Sequence, residues 1–325
     1  MENSRVKRKQ RKRKWLWVLI PFLALVIGIG IYGWQLASKV ASVTNEAHQQ
    51  LQRGEKSERR INPVYPGKDN FSVLFIGVDE RGGETLSRSD VLILATFNKD
   101  DKTIKMLHIP RDSRVEIPGY YVDKINHAHF LGGVDLAVDT VEHLFDIPVD
   151  YYVKLNFTAF IDIVDALGGV TVEVPFTFQE MDSTDKKNAI TLNEGIQTLN
   201  GEEALAFVRM RKKDPRGDFG RGDRQKQVIK AIIEKSASLS SITKYDDVLD
   251  GIGNNLTMNL TFQNIVALHP YASSLNSIDS LALKGDDTYI NRVYYYTLDE
   301  SSVQEISTTL KQHLGLETVA TTQSN

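Results

Sequence analysis

The sequence predicts an α/β domain held behind a single membrane-spanning helix, and three observations carry that reading. One uncharged apolar stretch lies near the N-terminus, three short β-rich apolar runs follow a polar segment, and helical and strand-like patterns then alternate. Alternation of this kind is the signature of α/β architectures.

Residues 15–37 read WLWVLIPFLALVIGIGIYGWQLA, 23 residues without a charge, about 35 Å of helix at 1.5 Å per residue, which is enough to cross a bilayer core. RVKRKQRKRK immediately before it holds eight cations in ten residues, and such runs stay on the cytoplasmic side. Trp15, Trp17, Tyr32 and Trp34 stand where aromatic rings settle at the two headgroup levels. A cleaved signal peptide is the competing reading, but the apolar run exceeds an ordinary signal core and no clear small-residue cleavage site follows. The expected layout is a basic cytoplasmic tail over 1–14, a transmembrane signal-anchor over 15–37, a stalk over 38–69, one extracytoplasmic domain over 70–315 and a disordered tail over 316–325. The first fourteen residues carry eight cations and one anion, so with a whole-chain charge of −3 the remainder holds −10. An acidic outer domain argues against nucleic acid as a partner. With no cysteine, disulfides, thiolate nucleophiles and cysteine metal sites are excluded, and the roughly 255 residues beyond the stalk must rely on an ordinary core.

The polar stretch before Phe71 ends in NPVYPG, where proline and glycine oppose regular structure. FSVLFIGV, DVLILATF and TIKMLHI then read as buried strands of a sheet covered on both faces. A helical pattern over 134–145, a strand DYYVKLN, a helix FTAFIDIVDALGG and a strand VTVEV follow in order. Residues 178–194 read as a polar loop, and Asn200 is placed to cap a helix GEEALAFVRMRK. DPRGDFGRGD reads as a turn before a helix starting at Arg224, and a last helix is expected over 300–313.

Hydrolase elbows, nucleotide phosphate loops and zinc-protease helices have no match in the chain. What remains is charge displayed in turns at element ends, where binding groups concentrate. In GVDERGGETLSRSD, Asp79 ends one predicted strand and Asp90 begins the next. Pairing of those strands would bring two carboxylates together, a donor set suited to Mg²⁺ completed by substrate phosphates; a solvated polar turn is the plainer alternative. In HIPRDSRVEIPG, Arg111 and Arg114 follow a strand end, and the planar guanidinium fork matches phosphate oxygens, although a simple surface pair of Arg111 with Asp112 explains the same residues. VRMRKKDPRGDFGRGDRQ gathers Arg209, Arg211, Arg216, Arg221, Arg224 and Gln225. Their counter-charges could be internal, from Asp214, Asp218 and Asp223, or could be a phosphate ligand. The adhesive tripeptide Arg221-Gly222-Asp223 is read as chance, and His127 and His129 as structural histidines bonding loop backbone.

Seven blocks in order, LFIGVDERGG, LSRSDVLILATFN, IPRDSRVEIPG, KINHAHFLGG, IDIVDALGGVTVEV, LNGEEALAFVRMR and GDFGRGDRQKQVI, closely resemble the LytR-CpsA-Psr family of bacterial cell-wall glycopolymer transferases. The resemblance implies a single extracytoplasmic α/β domain with a central mixed β-sheet flanked by helices, holding a polyprenyl-pyrophosphate-linked glycopolymer with its lipid in an apolar groove. It implies metal-binding and catalytic roles for Asp79 and Asp90 with Mg²⁺ or Mn²⁺, a catalytic and head-group role for Arg111, and head-group contacts for Arg209, Arg211, Arg221, Arg224 and Gln225. His129 departs from the aromatic residue usual at its position. The implied reaction moves wall teichoic acid from undecaprenyl pyrophosphate to a peptidoglycan hydroxyl at the membrane surface, forming a phosphodiester, without nucleic acid as a partner. A hydrolase using the same site and a non-catalytic, regulatory wall-binding protein are the alternatives.

Overall fold

The computed structural model describes residues 38, 42, 45–80, 87–236, 255–268, 270–271 and 278–316. The expected anchor over 15–37 lies outside them, and among the described residues no helix is long and apolar enough to cross a membrane. The expected disordered tail likewise lies outside them beyond residue 316.

The apolar runs form β1 (Phe71–Val78), β2 (Ser89–Asn98) and β3 (Thr103–His108), an antiparallel meander. The chain then makes a small hairpin, β4 (Arg114–Glu116) and β5 (Val122–Lys124), and a helix α1 (Asn126–Phe145). It returns as β6 (Tyr151–Asn156), parallel to β1. A parallel return needs a crossover of this length, and α1 supplies it. With β11 (Leu256–Met258) and β12 (Asp279–Ala282) at the edges, the sheet runs β11-β6-β1-β2-β3-β12 and is mixed.

Strand alternation sorts the apolar side chains to two faces. Leu74, Ile76, Leu92, Leu94 and Leu107 pack under Val138, Val141 and Phe145 of α1 and under Ile306 and Leu310 of a C-terminal helix, α6 (Glu300–His313). Phe71, Val73, Ile93, Ala95 and Phe97 form the other face, where the Phe71 and Phe97 rings stack at 4.6 Å. A third core joins α2 (Phe157–Ala166), β7 (Val170–Val174), β10 (Gly195–Leu199), α3 (Gly201–Arg209) and α4 (Gly217–Ser236). The crossing of α2 and α3 requires Gly201, because a Cβ there would stand 2.5 Å from the Ile161 carbonyl oxygen. Asn200 caps α3 as expected, within a reciprocal capping box with Glu203, and α6 matches its expected span.

Several expectations are corrected. The stalk does not run free from residue 45 onward: Ala47 and Leu51 are buried in the domain, and the Tyr152 hydroxyl donates to the Gln49 carbonyl at 2.7 Å. The cause is electrostatic as well as apolar. Buried Glu142 and Asp150 need counter-charge, and Arg53 (2.8 Å to Glu142) and Arg60 (2.8 Å to Asp150) provide it from this segment. The expected loop over 178–194 contains a hairpin, β8 (Phe178–Glu180) with β9 (Ile190–Leu192), because Phe178 and Leu192 are drawn into the third core. Helix α1 begins eight residues before the expected start and is kinked at Gly132 and Gly133, where φ of Gly133 is 65°. Helix α4 begins at Gly217 rather than Arg224, so the presumed turn DFGRGD is helical. A short helix, α5 (Phe262–Ala267), and the hairpin of β13 (Gly285–Ile290) and β14 (Val293–Leu298) complete the described fold. That hairpin is tied to the sheet end by the Tyr296 amide, which donates to the Asp112 carbonyl at 2.9 Å.

Candidate functional site

The pairing of β1 with β2 shifts register at one end: Gly77 faces Val91 while Val78 faces Ser89, leaving Asp90 as the extra residue of a bulge. A bulge redirects the side chain it frees, and Asp90 reaches across to pair with the Arg111 guanidinium. Asp79 directly follows Val78 at this same end of the strand pair. Arg111 and Asp112 sit in the turn after β3, closed by the Ser113 amide bonding the Pro110 carbonyl at 3.0 Å. Asp112 is no surface partner of Arg111. It is 5% exposed and gathers Lys124 at 2.9 Å, Arg211 at 3.2 Å and Arg111 at 3.8 Å. Burial works against its charge, but the Lys124 hydrogen bond and the two arginines outweigh that and hold its carboxyl below the usual range. Burial likewise opposes the charge on Arg111, and Asp90 with Asp112 raises it above the ordinary value.

The opposite wall comes from α4. Gly222 lies so close to the His108 ring that a Cβ would approach it to 2.6 Å, and this contact presses the first turns of α4 onto the end of β3. Arg221 is thereby buried to 5% exposure and pairs with Asp218 at 2.5 Å, while Asp218 also faces Arg211 at 3.6 Å. Burial, together with Arg111 and Arg211, lowers the Arg221 pKa from its ordinary value against the pull of Asp218. Arg111, Lys124, Arg211 and Arg221 thus meet Asp90, Asp112 and Asp218, with Asp79 following β1 at the same strand end. Guanidiniums gathered in this way present planar donor forks that match phosphate oxygens. The Arg211 guanidinium also lies 5.5 Å from the centre of the Tyr294 ring.

The remaining expected residues are placed differently. Helix α3 ends at Arg209, whose guanidinium turns away to the Asp182 carbonyl (3.2 Å) and Asp185 (3.0 Å) over the Phe157 ring, leaving Arg211 alone to face the cluster. Arg224 is 2% exposed and bonds the carbonyls of Phe207 (3.0 Å) and Met210 together with Asp214; Gln225 donates to the Val208 carbonyl at 3.3 Å. Both side chains tie the C-terminal end of α3 to α4, and so position Arg211 and Arg221. The tripeptide Arg221-Gly222-Asp223 lies inside α4 with its arginine buried, which removes the adhesive reading. His129 bonds the Ser87 carbonyl at 2.6 Å as expected, whereas His127 pairs with the Asp123 carboxylate four residues back, at 2.5 Å. Asp112 as the centre, Lys124 and Tyr294 were not legible as site residues.

Among the described residues no three His, Asp or Glu side chains converge to make a metal cage. The chemistry of the donors present fits a divalent ion of the Mg²⁺ kind held from one side: two carboxylates stand at one strand end, and substrate phosphates would complete the shell.

The site therefore combines a mixed-sheet α/β domain with arginines gathered at a strand end beside an apolar sheet face. The chain belongs to the LytR_cpsA_psr family, whose model matches residues 35–312. It is 47% identical over 321 residues to TagT of Bacillus subtilis (strain 168), named a polyisoprenyl-teichoic acid–peptidoglycan teichoic acid transferase, covering 97% of this chain and 99% of the relative. TagU of the same organism, with the same name, is 44% identical over 316 residues, covering 97% and 99%. Among solved structures, TagT bound to LI-WTA superimposes with a TM-score of 0.71 at 46% identity, over 83% of this chain and 100% of that one. The LytR-CPS2A-psr family protein YwtF (TagT) with bound octaprenyl pyrophosphate lipid does so at 0.67 and 44%, with the same coverage.

Proposed function

We propose that this protein is a phosphotransferase that moves a glycopolymer, wall teichoic acid, from undecaprenyl pyrophosphate to a hydroxyl of peptidoglycan. The observation that carries the reading is the arginine network of Arg111, Arg211 and Arg221 around Asp90, Asp112 and Asp218. Beside it, Phe75, Val91, Val153 and Leu155 share one sheet face and are only partly covered, with Ile163, Ile229 and Ile232 opposite them. A charged rim next to an open apolar face suits a lipid whose head is a pyrophosphate. Relatives named as teichoic acid transferases, and one solved with a prenyl pyrophosphate, support the same assignment.

In the reaction the acceptor oxygen attacks the phosphorus that bears the polymer. The bond from that phosphorus to the bridging oxygen breaks, and the lipid monophosphate leaves with the electron pair. The new link is a phosphodiester, and the acceptor's proton passes to a carboxylate, Asp79 or Asp90. Arg111, Arg211 and Arg221 offset the charge that grows on the bridging and equatorial oxygens. Asp79 and Asp90 would hold Mg²⁺ or Mn²⁺, which supplies Lewis-acid stabilisation of the same charge when bound. Topologically, residues 15–37 would anchor the enzyme in the bacterial cell membrane, N-terminus inside, with the domain facing its lipid donor and the wall.

The test incubates the purified protein with lipid-linked polymer, peptidoglycan and Mg²⁺ and measures polymer covalently bound to the wall. Wall-bound polymer that disappears on chelation is expected. Release of free polymer alone would replace transfer with hydrolysis.

A further inference from the structure

The β13–β14 hairpin carries an exposed apolar tip. Its strands pair from Gly285 with Leu298 out to Ile290 with Val293, and a two-residue turn, Asn291-Arg292, closes it. Tyr289 is 73% exposed, Ile290 40% and Val293 45%. In such hairpins both turn residues are left-handed and glycine is usual at the second. Here φ is 50° at Asn291 and 67° at Arg292, so an exposed guanidinium stands at the apex where glycine would fit more easily. The acids sit at the other end of the hairpin, Asp286 opposite Thr297 and Asp287 opposite Tyr296. At about 3.4 Å per residue, Asp287 lies roughly 10 Å back from Ile290. An aliphatic and tyrosine tip with one arginine has the composition of a segment that settles among lipid headgroups, where the guanidinium meets phosphate and its stem lies in apolar surroundings.

The direction of the strands decides where this tip points. β12 is parallel to β3, and its Ala282 stands opposite His108 at the end of β3. The hairpin therefore continues past the strand end at which Asp90 and Arg111 meet. Its base is fixed there by the Tyr296 amide on the Asp112 carbonyl and the Asp299 amide on the Lys284 carbonyl, both at 2.9 Å. The N-terminal segment enters from the same end. His48 bridges Met258 in parallel, β11 is antiparallel to β6, and β6 is parallel to β1, so the chain around His48 descends from the level of Asp79 towards that of Phe71. The two features occupy opposite edges of the sheet, because the order β11-β6-β1-β2-β3-β12 sets five strand spacings, roughly 24 Å, between them. The ends of β1, β2 and β3, with Asp79, Asp90 and Arg111, lie in that gap. Upstream of the first feature the sequence leads back to the apolar residues 15–37.

We infer that the β13–β14 tip docks into the headgroup layer of the bilayer, with Tyr289, Ile290 and Val293 below the lipid phosphates and Arg292 paired with one of them. The domain then rests on the membrane at two points, one on each side of the arginine network, and holds that network level with the head of a lipid donor. The inference rests on the anchored topology proposed above.

The test places the full-length protein in vesicles of phosphatidylethanolamine and phosphatidylglycerol. The chain has no cysteine, so Ile290→Cys gives a single site for a fluorescent label, and Asp100→Cys marks the opposite end of the sheet. Spin-labelled lipid should quench the label at 290 and leave that at 100 bright. Ile290→Ser with Val293→Ser should raise the KM for a prenyl pyrophosphate donor carried in the same bilayer about tenfold, and leave the Kd for a short-chain prenyl pyrophosphate in detergent unchanged. Arg292→Glu should act in the same direction, with an effect that shrinks as salt rises. Equal quenching at 290 and 100 in protein that floats with the vesicles would overturn the docking and keep the anchor, whereas protein that fails to float would overturn both. Quenching at 290 without any polymer transfer would sink the transferase reading and keep the docking. A label at 290 shielded by a soluble peptidoglycan glycan strand, and not quenched by lipid, would overturn the docking by giving the hairpin to the wall.

Discussion

Replacing Asp112 by asparagine keeps its shape and removes one charge from the point where three cations converge. In the native protein its buried carboxylate takes Lys124 at 2.9 Å and Arg211 at 3.2 Å, with Arg111 at 3.8 Å. A hydrogen bond to a charged group contributes about 1.5–3 kcal/mol, and breaking a buried pair by deleting one partner costs about 3–5 kcal/mol. The pairs here are partly open to solvent on the cation side, with Arg111 and Arg211 about one-third exposed, so the lower end, about 3 kcal/mol, applies. For a domain of this size, where 1 kcal/mol moves Tm by about 2–4 °C, Asp112→Asn should lower Tm by roughly 6–12 °C in a calorimetric scan. The same substitution leaves uncompensated positive charge, so millimolar pyrophosphate should recover more Tm in the mutant than in the wild type, as expected of any ligand that binds only the folded state. A Tm loss under 2 °C, or equal recovery in both proteins, would refute the view that Asp112 organises the cluster.

Arg111→Ala removes the guanidinium that pairs with Asp90 and that the proposed mechanism turns on the reacting phosphate; it should leave the domain folded by circular dichroism while lowering the transfer rate by about two orders of magnitude, the effect of about 3 kcal/mol of lost transition-state stabilisation, and undiminished transfer would remove Arg111 from catalysis. Glu142→Gln strips the counter-charge from Arg53 and Arg59 and should cost about 2–3 kcal/mol by denaturant titration, with protease cleavage appearing within residues 45–69. Acid should weaken the fold before most carboxylates titrate. Burial, opposed by Asp218, lowers His108 to about 4, and burial lowers His313 to about 4 as well. The unfolded chain therefore binds these protons first, near 6.5. Stability is whole above that pH and is lost as pH falls towards 4, at up to about 1.4 kcal/mol per pH unit for the fully buried His108. A Tm constant between pH 7 and 5 contradicts this.

Local sequence carried the parts of the fold whose physics is local. β1 to β3 announced themselves through apolar runs separated by short turns, and Asn200 through its spacing to Glu203. Arg111 could be found because a strand end, a proline and an arginine coincide within a few residues. Asp112 could not be recognised as the centre, because Lys124 is 12 residues away and Arg211 is 99 away; only the fold joins them. Arg209 and Arg211 looked equivalent by composition, yet the end of α3 between them sends one outward and one inward. The helical start of α4 was masked by its glycines, since Gly222 serves the approach to His108 rather than a turn. Tyr294 and Tyr296 arrive from a hairpin near the C-terminus, with no nearby motif to mark them.

The docking of residues 45–69 against the domain also sets a height. On the proposed topology only about ten residues separate the end of the apolar stretch at Ala37 from Ala47, the first side chain sunk into the core. Fully extended, that span reaches at most about 35 Å. The enzyme would therefore work as a short-leashed reader of the space just above the bilayer, meeting glycan strands as they emerge rather than those already carried outward into the mature wall.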